Sequence, residues 1–351
     1  MTIAPTIFIV PTGIGCEIGG FAGDALPVAK LLASASGCLV THPNVMNGGS
    51  LSESDERIFY LEGYSLDRFA KGELGLKKVK QQKIGIIFDA EIEKNILIRH
   101  LQATDACIAT LGINIESYVI TNNPVGVVLS NQTSGGSTGY IKNPEELIKA
   151  GEKLVKSGVT AIAIVTKFPD NLDNDEINSY RKGEGVDSIA GAEAVISHLI
   201  SKYLKVPCAH APAFAQIDIE ERLDPRAASE EIGFTFLPSV LIGLNKAPNL
   251  IELPSLDKSI DLYPNQVEAI IVPQGALGGE AVMASMERGV SIISVKNSSA
   301  LNVCNNYLNY PNYTEVNNYF EAAGLLLSIR EGINSNSIQR PIIPFSKYRI
   351  N

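Results

Sequence analysis

Runs of aliphatic residues that stay apolar at successive positions recur along this chain: IFIV at 7–10, IGII at 84–87, AIAIV at 161–165, AIIV at 269–272 and SIISV at 291–295. A strand with one wet face alternates apolar with polar residues, so an unbroken run needs cover on both faces. Stretches with the three- and four-residue spacing of helices lie between them. The alternation predicts an α/β fold, with mostly parallel sheet or sheets, helices on both faces and Rossmann-like layers.

The expected strands are 6–10, 37–41, 83–88, 115–121, 159–165, 267–272 and 290–295. The expected helices are 25–35, 93–111, 144–157, 189–203, 226–232, 279–288 and 314–330. Two helix starts carry strong signals. Asn143 precedes Pro144 and two acids, and Asp224 precedes Pro225, so each has a capping residue, a proline in the first turn or both. Three stretches, 42–57, 122–142 and 166–187, read as long irregular loops, which in compact domains are often functional. Two lobes are expected, 1–125 with 262–351 and 126–261, the alternative being one compact domain over 1–351.

Charge narrows the function classes. The formal net charge is −9, and the basic residues are scattered apart from Lys77, Lys78, Lys80 and Lys83. No basic face exists to track phosphates, so nucleic acid is not an expected partner. Five cysteines without a Cys-x-x-Cys spacing read as reduced thiols rather than a disulfide framework. No basic segment precedes the first apolar run, and the uncharged stretch 117–141 is broken by Asn, Gly and Pro. These features predict a soluble cytoplasmic protein without a membrane partner, a homodimer being the usual default.

The segment VPTGIGCEIGG at 10–20 is echoed by VPQGALGG at 272–279. Ligands of open α/β sheets sit outside the carboxyl ends of strands, where glycine lets the backbone come close. Thr12, Gly13 and Gly15 after an early strand, and Gly275, Gly278 and Gly279 after a late one, are therefore candidate ligand contacts if the two strands are neighbours. A tight Pro-x-Gly strand end would look the same. The glycine spacing is not that of a dinucleotide fingerprint, and His42 stands near where that motif expects an acid. The run TSGGSTGY adds Ser134, Gly135, Gly136 and Ser137, which read as an anion nest or a flexible lid.

Among polar residues, His42 at a strand end and His210 in VPCAHAPAF are candidate proton carriers, and Lys296 would balance the charge of an anion. Glu62, in EGYSLDRF, reads as part of a surface salt-bridging segment. His100 reads as a packed histidine, His198 as solvent-exposed and Asp187 as a helix cap. Cys208 and His210 share one face of a strand and could begin a zinc site, though nothing supplies the other ligands at standard spacing.

The segments VPTGIGCEIGGFAGDALPVAKLL, THPNVMNGG, EGYSLDRFA, GVDSIAGAEAVISHLI, PCAHAPAF and VPQGALGGEAV resemble a domain-of-unknown-function family typical of cyanobacteria and plastid-bearing eukaryotes. The resemblance covers nearly the whole chain and implies no established activity. The functional expectation is an enzyme that binds a small anionic metabolite, carrying phosphate or carboxylate, in a cleft lined by glycine loops. A non-catalytic sensor or assembly factor, and a zinc-dependent hydrolase, are the alternatives.

Overall fold

The computed structural model describes residues 2–19, 21, 24–46, 55–131, 136–169, 174–214, 219–231, 236–298, 301–342 and 344. From the N-terminus run β1 (Thr6–Phe8), α1 (Leu26–Ser36), β2 (Leu39–Thr41), α2 (Pro43–Met46), β3 (Ile58–Tyr60), α3 (Gly63–Ala70) and β4 (Leu74–Lys77). The middle holds β5 (Ile84–Phe88), α4 (Lys94–Leu111), β6 (Ile115–Ile120), β7 (Val127–Asn131), β8 (Ser137–Ile141), α5 (Pro144–Lys156), β9 (Ala161–Lys167), α6 (Asn174–Arg181), α7 (Ala190–Leu204) and β10 (Cys208–Ala213). The chain closes with α8 (Pro225–Glu231), α9 (Leu237–Asn245), β11 (Asn249–Glu252), β12 (Ala269–Pro273), α10 (Glu280–Glu287), β13 (Ser291–Val295), α11 (Asn305–Leu308), β14 (Tyr313–Val316) and α12 (Tyr319–Arg330).

Two parallel sheets result. The larger has the order β14-β13-β12-β1-β2-β3, and the smaller the order β10-β9-β5-β6. The chain leaves β1 outward through β2 and β3, then returns on the other side through β12, so β1 and β12 are neighbours. Ile7 pairs with Ile270 and Phe8 with Ile271. The two Val-Pro-x-Gly turns therefore do leave adjacent strands at the same sheet edge.

The period of two along each strand sorts side chains into layers. Ile7, Val40, Ile270 and Ile292 enter one core cluster, while Phe8, Leu39, Ile271 and Ile293 enter another. That second cluster continues into Ile84, Ile86, Phe88, Ala163 and Val165 of the smaller sheet. One apolar layer thus joins both sheets, and the small residues Ala209 and Ala211 in it let α9 lie close. Ile87, Ile162 and Ile164 face the opposite side, against α5 and α7. Both faces of both sheets are covered, as the unbroken apolar runs demand.

Departures from the sequence reading are local. The stretch 122–142 contains the antiparallel hairpin β7–β8. The segment EGYSLDRF, read only as a surface salt-bridging stretch, runs into α3, where Arg68 does pair with Glu73 and Glu252. The last helix starts at Tyr319, because Tyr313–Val316 pairs with β13 as an edge strand. These pieces are short and carry no long apolar string, so periodicity could not find them.

Candidate functional site

The carboxyl end of β1 is fixed by the turn that follows β2. The Val10 N–H donates to His42 Nε2 at 3.0 Å. Asn44 Nδ2 donates to the carbonyls of Val10, Pro11 and Gly19, at 3.1, 2.9 and 2.6 Å. His42 is thereby an acceptor at Nε2, and the neutral ring carries its proton on Nδ1. Burial drives its pKa from 6.5 down to about 4.

Facing this rim is the first half of α7, seated on the β7–β8 hairpin. A Cβ on Gly191 would fall onto the backbone of Ser137 and Thr138, and one on Gly139 would lie 2.7 Å from the Ala192 Cβ. Only glycine allows that approach. The Gly191 N–H donates to Ser137 Oγ at 3.1 Å, and the Ser137 N–H to the Gly13 carbonyl at 3.2 Å. Gly13 has a left-handed φ of 69° and meets Ser137 side-on. The glycine and hydroxyl residues expected to cradle an anion are thus joined to one another, locking hairpin, helix and β1 loop together.

Between the two rims lies a small cleft of about 80 Å³. Thr12, His42 and Asn44 line it from the larger sheet, Glu62 and Gly63 from the start of α3, and Asp187, Glu193, Ser197 and His198 from α7 and the segment before it. His210 lines it from β10. No lysine or arginine is among these lining residues.

His210 has both ring nitrogens occupied. Nδ1 meets Glu193 Oε1 at 3.0 Å and Nε2 meets the Thr166 hydroxyl at 2.7 Å. The His210 side chain is 1% exposed and that of Glu193 24%. The order suggests a nucleophilic triad, but Thr166 is fully buried and is not a lining residue. The group open to a ligand is Glu193, held from behind by the imidazole.

Glu62 accepts a hydrogen bond from the Tyr60 hydroxyl at 2.8 Å. Burial, with Glu193 adding repulsion, lifts its pKa from 4.5 to about 8. Asp187 Oδ1 accepts from the Ile189 N–H at 3.0 Å in the loop before α7, whose N-cap is Ile189 rather than the expected Asp187. Burial and the charge of Glu193 raise its pKa to about 7. The cleft therefore holds a carboxyl that keeps its proton near neutral pH beside a carboxylate reachable from solvent.

The remaining sequence candidates lie elsewhere. Lys296 is exposed and donates to Asn317 Oδ1 at 2.7 Å. It follows β13, separated from β2 by β12 and β1, so it is no counter-charge for this cleft. Gly275 and Gly278 pack against Val303, the Val303 N–H reaching the Gly275 carbonyl at 2.7 Å, and Gly279 precedes α10. None of these three lines the cleft. Gly15 approaches the Gly185 carbonyl, Gly136 is buried, and Ser134 and Gly135 lie outside the described residues. His100 is a packed histidine, edge-on to Phe88. His198, expected in solvent, is half-buried over Gly63, where a Cβ would collide with its ring. Glu62 is buried rather than on the surface.

Sequence reasoning also passes over Glu193 and Ser197. They stand four apart on one face of α7 with Ala190 and Ala194, a small-and-polar stripe opposite the apolar one. Among the described residues, no group of three or more His, Cys, Asp or Glu side chains is arranged to hold a metal ion. Cys208 is fully buried, and its thiol is pushed well above the usual range by burial and by the nearby Glu62.

Comparison with known proteins adds two findings. A family model described as "Protein of unknown function (DUF3326)" matches residues 5–339. The chain is 44% identical over 332 residues to an uncharacterized lipoprotein of Synechococcus sp., covering 94% of this chain and 91% of the relative. That relative's description as a lipoprotein overturns the cytoplasmic expectation. The charge and hydropathy of a folded domain do not report on a covalently attached lipid, so composition had no bearing on that description. Among the described residues, no helix is long and apolar enough to cross a membrane.

Proposed function

We propose that this chain, which belongs to the DUF3326 family, is a small-molecule enzyme that moves a proton at a polar substrate held in the cleft. Glu193 is the base and Glu62 the acid. The observation that carries the reading is the contrast between two carboxyls lining one cavity. Glu193 is accessible and braced by His210, whereas Glu62 is buried and keeps its proton to about pH 8. Carboxyls whose surroundings separate their ionisation are the usual makings of an acid–base pair.

His210 acts as a positioning residue, since both its nitrogens are committed. His42 offers Nδ1–H to a substrate oxygen. A carboxylate- or phosphate-bearing metabolite would find that donor, the Thr12 hydroxyl and the positive end of α7 for its oxygens.

The test is incubation of the protein with a metabolite panel in deuterium oxide, read by mass spectrometry for products and for solvent deuterium incorporated into any compound. Turnover is expected, reduced about 100-fold or more in Glu193→Gln, the usual scale for loss of a general base. Tight binding by calorimetry with neither exchange nor product would make the protein a sensor instead.

A further inference from the structure

The cleft has an imbalance that proton transfer alone does not explain. Glu62, Asp187 and Glu193 reach it from three positions in the chain, and none of its lining residues is a lysine or arginine. Its imidazoles do not make up the deficit. Burial lowers the pKa of His42 to about 4 and also lowers that of His198, while His210 already serves Glu193. Around Glu62 stand the Tyr60 hydroxyl from β3, Ser197, His198 and Glu193 from α7, and the Cys208 thiol from β10. Asp187 faces Glu193 and the N–H groups of Ile189 and Ala190. In neither set is there a fixed positive side chain.

A second, independent feature marks the place as a ligand site. The His42 ring is 5% exposed, its Nε2 is taken by Val10, and its Nδ1, with no partner among the described residues, is left to the cleft. The residue as a whole is nearly sealed, so this unpaired N–H can be met only by what enters the cleft.

We propose that the cleft takes a small amine that also carries an oxygen acceptor, an amino acid or an amino alcohol. Its ammonium sits among Glu62, Asp187 and Glu193, and its oxygen accepts from His42 Nδ1–H. The arriving cation offsets the charge of Glu193 and displaces the proton that Asp187 holds to about pH 7, so binding releases a proton and tightens with rising pH. This assignment rests on the acid–base reading of the same cleft.

The test uses L-serine and ethanolamine as probes, with glycerate and ethylene glycol as partners in which a hydroxyl replaces the amine. Binding is followed by the ring resonances of the four histidines, and by calorimetry in two buffers of different ionisation enthalpy to count protons. The amines are expected to shift the signals of His42, His198 and His210 and to release protons. Their affinity should rise about 10-fold from pH 6 to 8.5 and fall at least 10-fold in Glu193→Gln. Lys296→Ala, outside the cleft, should leave it unchanged. Glycerate or ethylene glycol binding as well as its amine partner, or proton uptake in place of release, overturns the amine and leaves the acid–base reading standing. Ring signals that none of the four probes moves remove both.

Discussion

His42, just past the end of β2, and His210, within β10 of the other sheet, line the same cleft and are both buried, yet the protein holds them in opposite ways. A backbone N–H points at His42, so a proton arriving at Nε2 would meet another donor. The Glu193 carboxyl, by contrast, faces Nδ1 of His210 at 3.0 Å. The first ring is fixed as a neutral donor that ties β1 to β2. The second is paired with the accessible Glu193 and with Thr166. Residue type and burial are the same in both; the partner of each nitrogen sets them apart.

The contrast between the two histidines is tested most severely by unseating α7, which brings Glu193 to His210. Gly191→Ala puts a methyl onto the Ser137 backbone, which cannot yield as a flexible side chain would. Stability should fall by about 3 kcal/mol or more in urea denaturation, and the hydrogen bond between Glu193 and His210 should break with it. A variant of unchanged stability would mean that the hairpin does not hold the helix in place.

The pH dependence of stability separates the two rims next. His42 has a folded pKa near 4 against 6.5 unfolded, so its contribution is present above 6.5 and is lost as pH falls through 4. The full shift corresponds to about 3 kcal/mol. Glu62 has the opposite sign. Its folded pKa near 8, against 4.5, gives stability that is present below 4.5 and lost as pH rises through 8. Denaturation midpoints measured from pH 4 to 9 should decline toward both ends, and Glu62→Gln should flatten the alkaline decline alone.

Smaller effects refine the His42 side. Asn44→Ala removes the donor shared by three carbonyls and should cost about 2 kcal/mol, seen as a lower Tm with the fold retained. Lys296→Ala removes one exposed hydrogen bond and should change stability by no more than about 0.5 kcal/mol. A large effect from Lys296 would restore it to the functional surface.

Much of the fold is legible in local pattern. The strings at 84–87, 161–165, 269–272 and 291–295 all form central strands, and α4, α5 and α7 begin within a residue of where spacing and caps put them. The site is legible only in fragments. Thr12, His42, Asp187 and His210 stand out in the sequence and do meet, but Asp187 reads there only as a cap, whereas it precedes the N-cap of α7 and lines the cleft. Glu62 reads as surface charge because α3 hides it only once α7 packs across the start of that helix. The glycines of the β7–β8 turn region read as a ligand loop, because a glycine needed for a ligand and one needed for a helix leave the same mark in a sequence.

The rule that ligands collect where strand order reverses shows the same limit. In the smaller sheet that point lies between β5 and β9, and the protein's own Asp89 fills it. Its carboxylate accepts from the N–H groups of Val125 and Glu91 at 3.0 and 3.2 Å. The open space lies instead between the sheets, beside β2, β3 and α7.

The α/β class, the parallel strands and the helix starts follow from the amino-acid order alone, because period, apolar content and capping act over a few residues. Which glycines meet protein, which carboxyls lose water and which histidine gains a carboxylate were settled by tertiary packing. Those outcomes depend on burial and on partners from 17 to 44 residues away along the chain, as for His42, Glu193 and Thr166, and desolvation is a property of the assembled layers rather than of any segment.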